Sequence, residues 1–281
     1  PWLTGRGSRI ILQCSVALLG FRMELGAMAT EAARGGLFAV ATIFGTLGLG
    51  RLLARPLGVA PDTAALVSGG TAICGGSAIA AIGPAIGARQ ASVAVAMAIV
   101  FVLNGVALFI FPPIGHALEL TPQQFGTWAG VAIHDVSSVV GAAASHGDEA
   151  LEVATTVKLT RAIWIVPVAL GLGWMARRRT DAAAAEGTGA SDSGRPAIVP
   201  WFIIAFVLAS VARSFVPGVA DAAPILGGVA KAGLSLTLFL IGTGLSLATL
   251  RRIGPSALWL GVILWLAISL SSLGVVMALP G

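Results

Sequence analysis

Apolar residues fall along this chain in nine stretches, 8–28, 36–55, 64–87, 91–115, 124–146, 153–176, 200–217, 225–250 and 255–280, divided by short clusters of glycine, proline and charge. A helix of about 20 apolar residues crosses the roughly 30 Å hydrocarbon layer of a bilayer. Most stretches are rich in Gly, Ala, Ser and Thr, which lets helices approach closely in lipid. The pattern predicts an all-α polytopic membrane bundle. The one long polar stretch, 177–199, is made largely of Ala, Gly, Ser, Asp and Arg. It reads as a flexible cytoplasmic loop between a first transmembrane part, 1–176, and a second, 200–281.

Internal matches refine this picture. Shifting the chain by 60 residues sets GTAICGGSAIAAIGPAIGA (70–88) against GVAIHDVSSVVGAAASHGD (130–148). Gly70/Gly130, Ala72/Ala132, Ile73/Ile133, Ser77/Ser137, Gly87/Gly147, Val93/Val153 and Ala94/Ala154 then coincide. A shift of 222 pairs 18–28 with 240–250 and 36–55 with 258–277. Each match is weak alone, but together they suggest a four-element unit used twice, the second copy permuted in order. If 64–87 and 124–146 both crossed the bilayer, no single symmetry would relate the copies. If both are re-entrant hairpins, each arm has about nine residues and reaches about 14 Å, near the midplane. Every pair of segments is then antiparallel. The expectation is therefore an inverted-repeat, transporter-like bundle with two interrupted or re-entrant helical hairpins. The repeat also predicts at least one further helix before residue 1, as the partner of 200–217.

Charge agrees with one orientation. Arg6, Arg9, Arg51, Arg55, Arg89, Arg177, Arg178, Arg179, Arg195, Arg251 and Arg252 fall on the cytoplasmic side of this topology. Glu31, Arg34, Glu119, Asp148, Glu149, Arg213 and Asp221 fall opposite. That is a strong positive-inside bias. Between hairpins and crossings, only Arg89 changes side. Composition removes the soluble alternatives. With 57% apolar and 10% charged residues among 281, the chain cannot cover a globule with polar groups. The net charge of +5 sits between apolar runs, so it does not point to nucleic acid. Cys14 and Cys74 lie inside apolar stretches, which argues against a disulfide framework.

Three places hold candidate chemistry. In 64–87, Gly69, Gly70, Gly75, Gly76 and Gly83 with Pro84 are poor material for a continuous helix. An interruption there leaves N–H groups free at the start of the second arm, near Gly76, Ser77 and Ala78, which suits an anion. Alternatively the glycines only permit tight packing. Cys74 is better read as a small packed residue than as a nucleophile. In 124–146, His134 and Asp135 interrupt an apolar run. Such residues line a substrate site, take part in proton or cation coupling, or hold the tip to a neighbour by hydrogen bonds. Ser137 and Ser138 would put hydroxyls beside the same cavity. In TTVKLTR, Thr155, Lys158 and Arg161 share a helix face. Two buried cations need anionic partners, either Asp135, Glu152 or a substrate that Arg161 would grip bidentately while Lys158 supplies a point charge. Arg22 and Glu24 are expected to snorkel or pair. Asn104 and Lys231 are weaker candidates. The substrate-binding set is Cys74, Gly75, Gly76, Ser77, His134, Asp135, Ser137, Ser138, Lys158 and Arg161.

At these residues the chain resembles the YeiH-like (UPF0324) membrane proteins, often labelled sulfate exporters. The likeness covers nearly all 281 positions. It is strongest at LLGFRMEL (18–25), GGTAICGGSAIAA (69–81), FGTWAGVAIHDVSSVVGAA (125–143) and TTVKLTRAIWIVPV (155–168). IHDVSSVV stands where the family form is IHDTAQVV, so Ser138 replaces a glutamine. Family members usually begin with additional apolar helices. The resemblance implies export of a small inorganic or sulfur-containing, sulfate-like anion across a bacterial inner membrane. It also suggests a distant kinship, by analogy alone, with inverted-repeat carriers.

The leading expectation is thus an anion carrier working by alternating access. A dianion leaves water only for several preorganised donors plus positive charge. Moving one charge through 100 mV is worth roughly 2.3 kcal/mol, so expelling a dianion from a negative interior gains about 4.6 kcal/mol and needs no coupling ion. The alternatives are a cation–proton antiporter using Asp135, an anion channel, or an intramembrane enzyme built on Cys74 or Ser77 with His134 and Asp135. The enzyme ranks last, because the chain has neither HExxH nor GxSxG. Expected partners are the anion, the lipid bilayer and a possible second copy of the chain as a homodimer, without nucleic acid, metal or cofactor.

Overall fold

In a computed structural model, residues 8–22, 25–185, 201–244 and 254–278 are described. These are all helix and connecting turn, with no strand among the described residues. The helices are α1 (Ser8–Leu19), α2 (Leu25–Ala54), α3 (Pro61–Ala72), α4 (Gly76–Ala85), α5 (Gln90–Ala117), α6 (Pro122–Ala132), α7 (Val136–Ala143), α8 (Asp148–Ala162), α9 (Ile165–Ala185), α10 (Trp201–Phe215), α11 (Val219–Gly244) and α12 (Pro255–Ala278). Among the described residues four stretches are long and apolar enough to cross a membrane: Gly36–Ala54, Gln90–Ala117, Asp148–Arg178 and Pro255–Ala278. The core is built mostly of α3 to α8 and α12, while α1, α10 and α11 pack on one another beside it.

Two boundaries differ from the hydropathy reading. Residues 8–28 are not one element: α1 ends in a 3-10 turn at Gly20–Arg22, and α2 begins at Leu25. The charged stretch ATEAARGG, which lowers the local hydropathy, is helical because Ala, Glu and Arg are good helix formers. For the same reason RRRTDAAAA extends α9 to Ala185, so 177–185 is helix rather than loop. The expectations for Arg6, Glu24, Arg195, Arg251, Arg252 and most of the 240–250 match lie outside the described residues. So do those for the side chains of Arg9, Arg22, Glu31, Arg34, Ser137, Glu152, Arg179 and Lys231.

The two glycine- and His-Asp-centred segments are each broken in the middle. Chain 61–85 stops being helical at Ile73–Gly75, and chain 122–143 at Ile133–Asp135, 60 positions later. Gly75 has φ +67° and ψ −121°, a conformation essentially reserved for glycine. Beyond the second break the chain returns to the start of α6, where Phe125 stacks on His146, ring centroids 3.5 Å apart, and beyond the first α4 turns back along α3. A Cβ at Gly69 would strike the Ile82 side chain, one at Gly70 would lie 2.9 Å from Ile79, and one at Gly83 would lie 3.8 Å from Leu66. Residue pairs whose numbers sum to nearly a constant mark an antiparallel pair. Each segment then ends at a positive-φ glycine, Gly87 (φ 65°) or Gly147 (φ 94°), again 60 apart.

The next helix runs parallel to the first arm in both cases. Ser92 on α5 bonds Asp62 on α3, and Val100 lies beside Gly70, a steady offset of 30. On the other side Gly126 and Gly130 of α6 face α8. A Cβ at Gly126 would lie 2.7 Å from the Ala150 carbonyl, and one at Gly130 would lie 2.9 Å from that of Ala154, a steady offset of 24.

Helix α5, about 40 Å long at 1.5 Å per residue, gives the relative placement of the two segments. Its first turn lies at Asp62, the base of α3, and its last turn, at Gly115, packs on Phe125 and His146 at the base of the other segment. Helix α12 repeats the message: Gly261 meets Val67, whereas Trp128 donates to the Ser269 carbonyl (2.9 Å) and Gln124 to that of Val276 (3.2 Å). The bases therefore sit at opposite ends of α5. Arg89 donates to Asp62 at 3.1 Å, so it shares an end with Arg51 and Arg55, which line one cavity with Asp62. Arg177 and Arg178 follow Ala176 on that cavity's wall. Glu119, Asp148 and Glu149 adjoin the other base.

Candidate functional site

The two breaks meet. A Cβ added at Gly75 would lie 3.0 Å from Val100 and 3.1 Å from the Cβ of His134, so only a glycine lets the tips come this close. His134 Nε2 sits 3.3 Å from the Thr71 hydroxyl, joining the second tip to the last turn of α3. Cys74 is buried, its thiol within reach of the Ala78 N–H and the Ser77 hydroxyl at the start of α4. Gly76, Ser77 and Ala78 form the first turn of α4, where helix geometry leaves N–H groups without intrahelical acceptors. Val136, Ser137 and Ser138 hold the same place in α7.

Lys158 and Arg161 reach this junction from α8, and each is only 1% exposed. Both bond groups on α2 and at the end of α3 that were not among the expected partners, while Lys158 also interacts electrostatically with Asp135. Lys158 Nζ donates to the Ile73 carbonyl at 3.4 Å. Arg161 donates through Nη2 to the Ala72 carbonyl and through Nη1 to the Thr42 hydroxyl of α2 at 2.8 Å. Both cations thus cap the C-terminal end of α3, where the last carbonyls of a helix lack N–H donors and its dipole is negative. Sequence reasoning weighed carboxylates and substrate as partners; a helix end inside the bundle is a third possibility, visible only when the break is placed. Thr155, assigned to the same face, turns instead to the Leu151 carbonyl of its own helix (2.7 Å).

The second tip is held by α5. Asn104 Oδ1 accepts the Asp135 N–H at 3.1 Å, and its Nδ2 donates to the Ser138 hydroxyl at 2.5 Å. Asn104, ranked low from sequence, is therefore the residue that fixes the start of α7. The available signal was its being the chain's single asparagine, inside a 28-residue apolar helix. Thr42 and Thr71 gave no signal, since a threonine in an apolar helix commonly bonds its own backbone. Of the ten candidates, nine are brought together at the junction, and Ser137 lies there by its backbone.

The consequence is electrostatic. At each break a helix C-terminus and a helix N-terminus lie side by side, and their dipole ends nearly cancel. At the first break Lys158 and Arg161 cover the negative end, leaving the positive start of α4 uncompensated. Two basic side chains, Lys158 and Arg161, and one acidic one, Asp135, meet at the junction. Two polar atoms there, Arg161 Nε and His134 Nδ1, are buried without a hydrogen-bond partner among the described residues. A buried donor of that kind is costly unless something accepts from it.

The family model described as Conserved hypothetical protein 698 matches residues 4–268 of this chain. A UPF0324 membrane protein of Bacteroides thetaiotaomicron is 45% identical over 275 residues, covering 97% of the chain and 79% of the relative. The chain belongs to the UPF0324 family. Other UPF0324 membrane proteins agree: one of Vibrio parahaemolyticus is 44% identical, covering 94% of the chain and 82% of the relative. One of Geobacter sulfurreducens is 43% identical, covering 100% and 86%. No solved structure matches this UPF0324 chain. Together with its apolar helices, membership makes the molecule a membrane-embedded helical protein.

Proposed function

We propose that this protein is a secondary transporter that expels a small sulfate-like anion across the bacterial inner membrane by alternating access. The reading rests on one observation: two broken, folded-back segments with bases at opposite ends of α5 touch at their tips beside Lys158 and Arg161. In a bilayer these are two re-entrant hairpins entering from opposite faces, the halves of an inverted repeat. Irregular backbone at that depth belongs where it lines a site. The arginine-rich end faces the cytoplasm by the positive-inside rule. The starts of α4 and α7, with Ser77 and Ser138, supply N–H and hydroxyl donors, and Arg161 and Lys158 supply charge. A dianion would hold the two tips at once. Expulsion follows the membrane potential, so no coupling ion is required.

The test is sulfate flux in proteoliposomes under an imposed potential. Flux should rise as the compartment facing the arginine-rich end is made negative, and Lys158→Met should depress it. Lys158→Met leaves both Arg161 bonds in place, so the tip stays anchored. Arg89→Gln, at an exposed ion pair, should leave flux intact. Voltage-independent flux, or undiminished flux in Lys158→Met, would overturn the reading. Sodium-driven proton movement abolished by Asp135→Asn would replace it with a cation–proton antiporter.

A further inference from the structure

Helix α2 meets the end of α8 and the step that leads into α9, where Thr42 takes Arg161 and Phe44 meets Trp164 edge-on, ring centroids 5.9 Å apart. From there toward the arginine-rich end α2 and α9 stand apart, leaving between them a groove of about 1150 Å³ floored by α3 and the end of α4. Its walls are apolar, including Phe44 and Leu47 on one side and Val168 and Leu172 on the other. A glycine on each wall, Gly48 and Gly171, has nothing within 4 Å of where its Cβ would be, which leaves the slot open across its width. At the mouth stand Arg51 and Arg55, one helical turn apart on the same face of α2. Both are exposed, and neither has a hydrogen-bond or ion-pair partner among the described residues. The carboxylate at this mouth, Asp62, is taken by Arg89 and Ser92.

The groove fits an amphiphile. A free inorganic anion would meet two guanidinium groups and then two turns of hydrocarbon. A sugar or peptide would find no hydrogen-bonding wall. We infer that the groove between α2 and α9 is a binding site for an anionic phospholipid, with an acyl chain between the helices and the headgroup phosphate on Arg51 and Arg55. Basic groups at the mouth of an apolar cleft between membrane helices are suited to anionic headgroups, and arginine matches phosphate oxygens bidentately. The inference needs the protein to be in a bilayer but does not depend on what it transports.

The experiment uses the whole chain, purified and delipidated in a neutral detergent. Lipid retention is read by native mass spectrometry and stability by thermal melting, with phosphatidylglycerol, phosphatidylcholine or inorganic phosphate added. Expected are one retained phosphatidylglycerol per chain and a melting temperature raised several degrees more by phosphatidylglycerol than by phosphatidylcholine. The double change R51Q/R55Q should remove that preference, weakening phosphatidylglycerol at least five-fold. Gly171→Leu should cut retention of both lipids by filling the slot, and it fits open space, so the fold survives. Equal effects of the two lipids in the unaltered protein would overturn the inference. So would a preference that survives R51Q/R55Q, or a stabilisation reproduced by inorganic phosphate alone. A dimer that Gly171→Leu converts to monomer with lipid retention unchanged would put a second copy in the groove instead, and also overturn it.

Discussion

The two broken segments share a plan but are secured by opposite means. The first has no histidine and no carboxylate at its break: Ile73 and Gly75 flank the buried Cys74, and basic side chains borrowed from α8 cover the exposed carbonyls. The second brings its own ionisable pair, His134 and Asp135, and is held by a neutral amide borrowed from α5. Each tip is thus tied by the helix that follows the other one. The difference teaches that position along a helix decides the chemistry of the anchor. A C-terminal end buried in the bundle asks for positive charge, whereas the start of α7 asks for an acceptor for one N–H.

The contrast can be broken most severely at its charged side. Arg161→Ala leaves the Ala72 carbonyl and the Thr42 hydroxyl without their donor, and should cost on the order of 3 kcal/mol, because bonds to charged groups are the strong ones. Thermal melting in detergent would show it, and Arg161→Lys should recover part of the loss. Gly75→Ala comes next, at roughly 2 kcal/mol of backbone strain with Val100 and His134 crowding the new methyl. Gly87→Ala, at φ +65° but in open space, should cost about half as much; equal losses would mean that tip-to-tip contact contributes nothing. Asn104→Ala removes two neutral bonds, about 1 kcal/mol each, and should loosen the second tip alone. Hydrogen exchange faster at 135–139 but unchanged at 72–79 would check that independence.

The smallest effect belongs outside the tips. Burial pushes the Asp62 carboxyl up, but hydrogen bonds from Arg89, Ser92 and the Thr63 N–H outweigh it and bring it down from 3.8 to about 2. Since the folded value is the lower one, its contribution to stability is present above about pH 3.8 and is lost as pH falls toward 2. The Arg89 side chain is 70% exposed, so the pair is well screened. Asp62→Asn should cost less than about 1 kcal/mol and flatten the acid limb of a stability profile between about pH 3.8 and 2.

Much of this architecture was legible in the residues. Gly75 and Gly76 marked one break, His134 and Asp135 the other, and the 60-residue match from Ile73/Ile133 to Gly87/Gly147 set the spacing of both. Arg51, Arg55 and Arg89, which the charge bias put on one side, share one end of the described bundle. Hydropathy failed where helix propensity is high and polarity is local, at ATEAARGG and RRRTDAAAA. The partners of Lys158 and Arg161 were hidden for a different reason: a carbonyl is present at every position, so no letter announces which will be left at a helix end. Thr42, 119 residues from Arg161, is of the same kind, a contact created by the packing of α2 on α8.

Glycines 126 and 130 make one last point. There the α6 backbone lies directly against the Ala150 and Ala154 carbonyls and the Val153 and Val157 side chains of α8, so the two helices interlock. Rotating one against the other would drive Val153 and Val157 into the main chain. The second tip and the guanidinium that grips the first therefore travel as one solid piece. Any stroke of the proposed carrier would have to be taken up elsewhere, and the tightened step at Ile163–Trp164 between α8 and α9, bonded to residues three back, is the elbow the chain offers for it.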